Sequence, residues 1–236
     1  AEAKERFLEF VGKSRFVPRQ FFDEKNIEEN MRGIYFPYWL YSVRFQSEAR
    51  GKADRFSTWT SGNTEYRQRK YYTFRREGDI SLKNLPENAL RKANAKLAAG
   101  VLPYDFHRMK EFHMGYLSGF LAECRDIRQT EVAAKMQSEM RESAQKLMRD
   151  TVTGFNSVTM QRSDFRPKRE GWSYVLLPVW TITYRGRNGK VYYYSMNGQN
   201  GRVCGELPVD RKKLALTSGL AGLLALMLGL IGGFFI

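Results

Sequence analysis

Ile34-Tyr35-Phe36-Pro37-Tyr38-Trp39 and Val175-Leu176-Leu177-Pro178-Val179-Trp180 share one order: three apolar residues, a proline, an apolar residue and a tryptophan. Each leads into an alternating stretch, and alternation puts successive side chains on opposite faces of a strand. Both copies therefore read as the start of an antiparallel β unit. Two origins are open for the echo: a duplicated β unit with a helical insert between the copies, or convergence on a bent strand with a proline bulge. Around the first copy the pattern predicts strands over 34–46, 53–60, 65–75 and 79–82, with turns at Ser61-Gly62-Asn63 and Gly78. Around the second it predicts strands over 157–162, 174–185, 190–196 and 202–206. Hairpin turns belong at Arg187-Asn188-Gly189 and from Asn197-Gly198 to Asn200-Gly201.

Helical spacing appears on either side of the first unit. Phe7, Leu8, Phe10 and Val11 recur among charged residues and predict a short amphipathic helix ending near Gly12. Phe21, Phe22 and Ile27 suggest a second short element. Helix is also expected over 90–99 and in parts of 106–123. From Gln129 to Val152 the residues Val132, Met136, Met140, Ala144 and Leu147 form an apolar stripe, and Gly154 supplies a stop. Such a stripe is a core face rather than a binding groove.

Leu214 to Ile236 carries no charged side chain, and a helix of that length covers roughly 34 Å, enough for a hydrocarbon core of about 30 Å. Arg211, Lys212 and Lys213 stand directly before it and, as positive flanks do, fix the topology and meet anionic lipid headgroups on the cytoplasmic side. These residues predict a single-pass protein of the plasma (inner) membrane with the bulk of the chain cytoplasmic, a compartment that suits two unpaired cysteines. Gly229 and Gly233, like Ser218 and Gly222, fall four apart and offer a face for packing helices together. The expected fold class is α+β: two antiparallel β units, a helical insert and one C-terminal transmembrane helix. The expected division is a helical lead-in over 1–32, an α+β domain over 33–209, and the basic flank with its span over 210–236. The start at Ala1 without Met suggests a processed product or a fragment.

The chain has 236 residues, is 42% hydrophobic and 14% aromatic, and carries a formal net charge of +14, which excludes disorder and fibrous architectures. Cys124, Cys204, His107 and His113 do not make a closed zinc site, so no metal or cofactor is expected. Gly12-Lys13-Ser14 resembles the tail of a phosphate loop, but Phe7 stands where its leading glycine belongs. With no Gly-x-Ser-x-Gly elbow and no other catalytic constellation, the chain reads as a non-enzyme. What remains is basic charge. Arg44, Arg50, Lys52, Arg55, Arg67, Arg69, Lys70, Arg75 and Arg76 face only Glu48, Asp54 and Glu65 in the same stretch. On alternating strands they would gather on one sheet surface among Tyr66, Tyr71, Tyr72 and Phe74. Anionic lipid headgroups or an acidic protein are the favoured counterparts, nucleic acid is the rival, and a plain solvated surface is the bland alternative.

Gly33 to Leu40, Tyr116 to Ala122, Leu176 to Trp180, and Met196 to Gly201 through Gly205 to Val209 together resemble a family of bacterial membrane proteins. Its members carry a zinc ribbon, variously labelled TFIIB-type or primosomal-helicase-like, followed by a domain of this kind and a membrane anchor. The ribbon's paired cysteines are absent here, and no helicase motor motif is present. The resemblance implies an N-terminal module outside this sequence and a scaffold or adaptor role at the cytoplasmic face. It further implies recruitment of phage-shock or SPFH-type membrane-stress partners; apart from the resemblance, a homo-oligomer or larger assembly is expected. The alternative is a membrane-tethered nucleic-acid-binding protein.

Overall fold

The computed structural model describes residues 2–13, 16–18, 27, 29–91, 95–185, 189, 191–207 and 209–234. In chain order these form α1 (Glu2–Gly12), β1 (Arg32–Ser61), β2 (Thr64–Asn88), α2 (Ala95–Gly100), β3 (Leu121–Ala122), α3 (Gln129–Asp150), β4 (Ser157–Arg185), β5 (Val191–Asn197), β6 (Val203–Gly205) and α4 (Arg211–Phe234). Strands take 46% of the chain and helices 32%, so the protein is mostly β rather than α+β. The two separate β units expected from the sequence are also corrected. All the strands join one sheet of order β2-β1-β4-β5-β6, with β3 pairing in parallel with β1.

The physical reason lies in the gaps between the expected strands. The expected strands leave a gap between 46 and 53, yet Ser47, Ala49, Gly51 and Ala53 continue the alternation as small buried residues, and β1 runs through it. Gly51 is small because a Cβ there would collide with the Thr159 carbonyl oxygen on β4 and the Phe74 ring. Gly78 is not a turn but lies mid-strand opposite Ser47. In the same way β4 absorbs the two strands expected over 157–185. The turn that does close the long hairpin is Gly62-Asn63, between the paired residues Ser61 and Thr64, where Gly62 takes φ +61°.

The chain divides into two compact units, Pro37–Arg91 with Cys124–Val175, and Ala1–Phe36 with Lys92–Glu123 and Leu176–Ile236. In the first, α3 lays Val132, Met136, Met140, Ala144 and Met148 over a cluster of Trp39, Tyr41, Val43, Phe45, Ala49 and Phe165. These five recur every four residues, so the stripe ends on Met148, while Leu147 is about half exposed. Ring pairs Phe45–Phe165, Tyr41–Trp172 and Trp39–Tyr174 step in opposite directions along β1 and β4, as an antiparallel pair requires. A bulge at Lys83-Asn84 re-registers β2 between Tyr41 and Val43; Asn84 has φ +58° and its N–H donates to the Ser42 hydroxyl at 3.0 Å.

In the second unit α1 packs Phe7 edge-on to Tyr194 of β5, with ring centroids 4.3 Å apart, in a cluster with Val17, Ile27, Ile182 and Met196. The two Pro-apolar-Trp segments play matching local parts. Pro37 accepts the Ala89 N–H at 3.0 Å beside the pair Tyr38–Asn88; Pro178 accepts the Gly198 N–H at 2.8 Å beside the pair Val179–Asn197. Of the shorter elements, the helix expected over 106–123 is two 3-10 turns, at Phe106–Arg108 and Met114–Leu117. Phe21, Phe22, Arg187 and Asn188 lie outside the described residues.

α4 corrects the membrane expectation. Among the described residues no helix is long and apolar enough to cross a membrane. Side chains of α4 are described from Arg211 to Leu228. Its first residues are Arg211, Lys212 and Lys213. The transmembrane helix, the single-pass plasma-membrane location and the topology derived from them fall together.

Candidate functional site

The long hairpin extends past the core. From Arg55 to Ser61 on β1 and from Thr64 to Thr73 on β2 every residue is exposed, on both faces of the ribbon. Up to Phe56 the strand is held by neighbours: Asn156 donates its N–H to the Asp54 carbonyl at 2.8 Å, and its side-chain oxygen accepts the Phe56 N–H at 2.9 Å. Beyond that point the pairing of β1 with β2 is what keeps the arm together, through to Ser61–Thr64. Phe56, Trp59, Tyr66, Tyr71 and Tyr72 are all exposed on it, and Tyr71 is 75% accessible. Trp59 and Tyr66, directly cross-strand, stack with centroids 5.6 Å apart and planes 12° from parallel.

Register divides the nine basic residues of this ribbon between two faces. Residues opposite one another share a face, so Arg44, Arg50, Lys52, Arg67, Arg69 and Arg75 stand on one side, and Arg55, Lys70 and Arg76 on the other. The first side also holds Glu48, Asp54, Glu65, Glu77 and Asp79, and nearly all its cations are engaged. Arg44 meets Asp79 at 2.9 Å, Arg50 meets Glu48 at 2.7 Å, and Arg67 meets Glu65 at 3.1 Å. Arg69 binds Asp54, and Arg75 binds both Glu48 and Glu77. The Arg50 hydrogen bond holds the Glu48 carboxyl below the usual range, and Arg44 does the same for Asp79. This face is close to neutral, and ion pairs so exposed stabilise the fold little.

The other side has no acid between residues 44 and 79 of the two strands. Arg55 donates to the Gly154 carbonyl at 2.8 Å and lies 5.6 Å from the Phe155 ring, which itself rests against Tyr72 at 5.2 Å. Lys70, directly across from Arg55, has no ion-pair or hydrogen-bond partner among the described residues. The same face carries Trp59 and Tyr66 at the tip and Tyr72 near the base. It is thus an aromatic surface with its cations unneutralised by the ribbon's own acids.

The remaining sequence candidates fall in the other unit. Lys212 and Lys213 donate their backbone N–H groups to the Asp210 carboxylate at 3.1 and 3.2 Å, so the basic flank begins a helix that Asp210 caps. Gly229 and Gly233 lie on α4. His113 uses Nδ1 to accept the Gly115 N–H at 3.1 Å, capping a 3-10 turn. Among the described residues no three His, Cys, Asp or Glu side chains gather as a metal would require. Lys13 follows a helix rather than a strand and pairs with Glu9 at 2.8 Å. The Met196–Gly201 segment is structural: the fully buried Asn197 amide donates to the Val101 and Pro103 carbonyls, and its oxygen accepts the Gln199 and Asn200 N–H groups.

Within 106–123, where the sequence led one to expect helix, the structure shows an exposed apolar surface. Met109, Phe112, Met114, Tyr116 and Leu121 are all exposed, Met114 at 70%. Their segment is tied at its start by Gln199, which exchanges hydrogen bonds with the Asp105 backbone at 2.6 and 3.0 Å, and at its end by Phe120 against Tyr35 and Trp180. The signal available was a run of large apolar residues without strand or helix period.

No family model matches the chain. It is similar to an uncharacterized protein of Bacillus subtilis, YdjG: 27% identity over 241 residues, spanning 99% of this chain and 70% of that protein. No solved structure matches.

Proposed function

We propose that the protein is a non-enzymatic adaptor whose β1–β2 arm is a recognition element for an anionic partner. The observation that carries this is the arm itself, which exposes five large aromatic side chains on a ribbon that buries none of them in the core. A protein loses solubility by displaying such rings, and exposed apolar surface of this kind marks a site of interaction. The pinned apolar segment 109–121 supplies a second, chemically different surface, which is what an adaptor needs to join two partners.

The test is a photocrosslinking amino acid at Tyr66 of the full chain, compared with one at Lys83, which is exposed at the bulge away from the tip. Specific adducts from position 66 and none from 83 are expected. A shortened chain in which Asn-Gly replaces residues 57–68, closing the hairpin at the pair Phe56–Arg69, should keep its fold and lose those partners. Equal adducts from both positions, or partners retained by the shortened chain, would overturn the proposal.

A further inference from the structure

The charge asymmetry of the arm narrows the chemistry of its partner. Arginines on one face are committed to Glu48, Asp54, Glu65, Glu77 and Asp79, and a polyanion could recruit them only by breaking those pairs. On the opposite face Arg55 and Lys70 have no carboxylate of their own strands to satisfy them. From Trp59 and Tyr66 to Tyr72 is six residues of strand, roughly 20 Å at about 3.3 Å per residue. Arg55 and Lys70 sit between, about 13 Å from the tip pair and about 7 Å from Tyr72.

We infer that this acid-free face binds single-stranded nucleic acid, an inference that rests on the arm being a recognition element. A single strand drawn along the ribbon offers unstacked bases to the aromatics at either end and phosphates to the two cations between them. A run of acidic side chains alone would satisfy the cations but brings no ring to Trp59 and Tyr66, whereas every nucleotide carries both a phosphate and a base. A duplex keeps its bases stacked within itself and would leave the tip unused. The 12° stack of Trp59 on Tyr66 forms a flat, exposed platform already in place, so little side-chain ordering remains to oppose binding.

The experiment is fluorescence anisotropy of a labelled oligothymidylate of about 20 nucleotides with the full chain, at about 50 to 300 mM salt. Binding that weakens steeply with salt is expected. Trp59→Ala with Tyr66→Ala should lower affinity at least about fivefold for each ring removed, with circular dichroism confirming the fold. Lys70→Gln should reduce the slope of log affinity against log salt by about 0.7. The charge-conserving pair Glu65→Gln with Arg67→Gln, on the other face, should change affinity less than about twofold. No binding at the lowest salt would overturn the inference, as would equal losses from both faces. Displacement by polyglutamate as effective as by unlabelled oligonucleotide would assign the face to acidic proteins instead. If Tyr66 crosslinks persist while the oligonucleotide does not bind, this inference falls and the adaptor proposal stands; if both fail, the arm is not a recognition element.

Discussion

Asn197→Ala should destabilise the protein by about 3 kcal/mol, a figure that follows from which hydrogen-bonding groups it strands. The amide makes four hydrogen bonds: its Nδ2 donates to Val101 at 2.7 Å and Pro103 at 3.1 Å, and its Oδ1 accepts from Gln199 at 2.7 Å and Asn200 at 3.0 Å. Two of the four partners can recover. Pro103 also accepts from the Asn200 side chain at 2.9 Å, and Asn200 is exposed, so water reaches its N–H. The Val101 carbonyl, in a residue that is 0% accessible, and the half-buried Gln199 N–H have no such recourse. Each stranded group costs roughly 1–3 kcal/mol. Asn197→Asp sharpens the test, because it keeps the acceptor and replaces the donor with an oxygen facing the Val101 carbonyl; it should lose more than alanine does. Urea titration by circular dichroism gives the energies, and hydrogen exchange should show faster exchange at Gln199. A loss below about 1 kcal/mol for Asn197→Ala, or an Asn197→Asp protein as stable as the parent, would refute this account of the segment.

Two other perturbations bear on the cores. Met148→Ala should cost about 2–4 kcal/mol because Met148 is 4% accessible within the buried cluster, whereas Leu147→Ala should stay within about 0.5 kcal/mol; urea midpoints that reversed this order would rotate the helix by one residue. Burial, followed by the charge of Glu170, pushes the Tyr41 phenol up to about 12, and burial also raises Tyr194 and Tyr38. Their protonated forms are favoured in the folded state, so this stability is fully present below pH 10, the ordinary tyrosine value, and is lost as pH rises toward 12. Urea midpoints should therefore fall between pH 9 and pH 11, with a shallower fall in Tyr41→Phe; a midpoint flat across that range would contradict the burial of these hydroxyls.

The end of α1 at Gly12 and the Gly62-Asn63 turn were legible in the sequence because each rests on a local rule: helical spacing closed by a glycine, and a turn glycine between alternating strands. Strand lengths were not. Ser47, Ala49 and Gly51 look like a loop in composition, yet all three are buried on one face of β1, and Gly51 has no room for a Cβ because the Thr159 carbonyl presses on it. That neighbour is more than a hundred residues away and leaves no trace in the local pattern. The α3 stripe erred by one residue at its end for a related reason. Both Leu147 and Met148 continue an apolar helix face, and only packing against the sheet selects Met148. The Pro37 and Pro178 echo does correspond to matching local geometry, but the strands that follow belong to one sheet instead of two.

The basic ribbon shows how charge counted along a sequence can mislead and what would correct it. Nine cations over 44–76 suggested one positive surface, yet on a strand residues i and i+2 share a face. Glu48-Ala49-Arg50, Glu65-Tyr66-Arg67 and Arg75-Arg76-Glu77 are each an acid and an arginine two apart, and each closes an ion pair on its own strand. These arginines are neutralised by nearest same-face neighbours whatever the rest of the fold does. Asp54 adds Arg69 across the strands, and Asp79 adds Arg44. Subtracting pairs in this way, with the hairpin register known, leaves Lys52 alone on that face, and Arg55, Lys70 and Arg76 on the other. Arg55 and Lys70, set opposite one another between Tyr72 and the Trp59–Tyr66 stack, are then where uncompensated charge and exposed rings coincide, and so where a partner carrying both phosphate and base would find the most to bind.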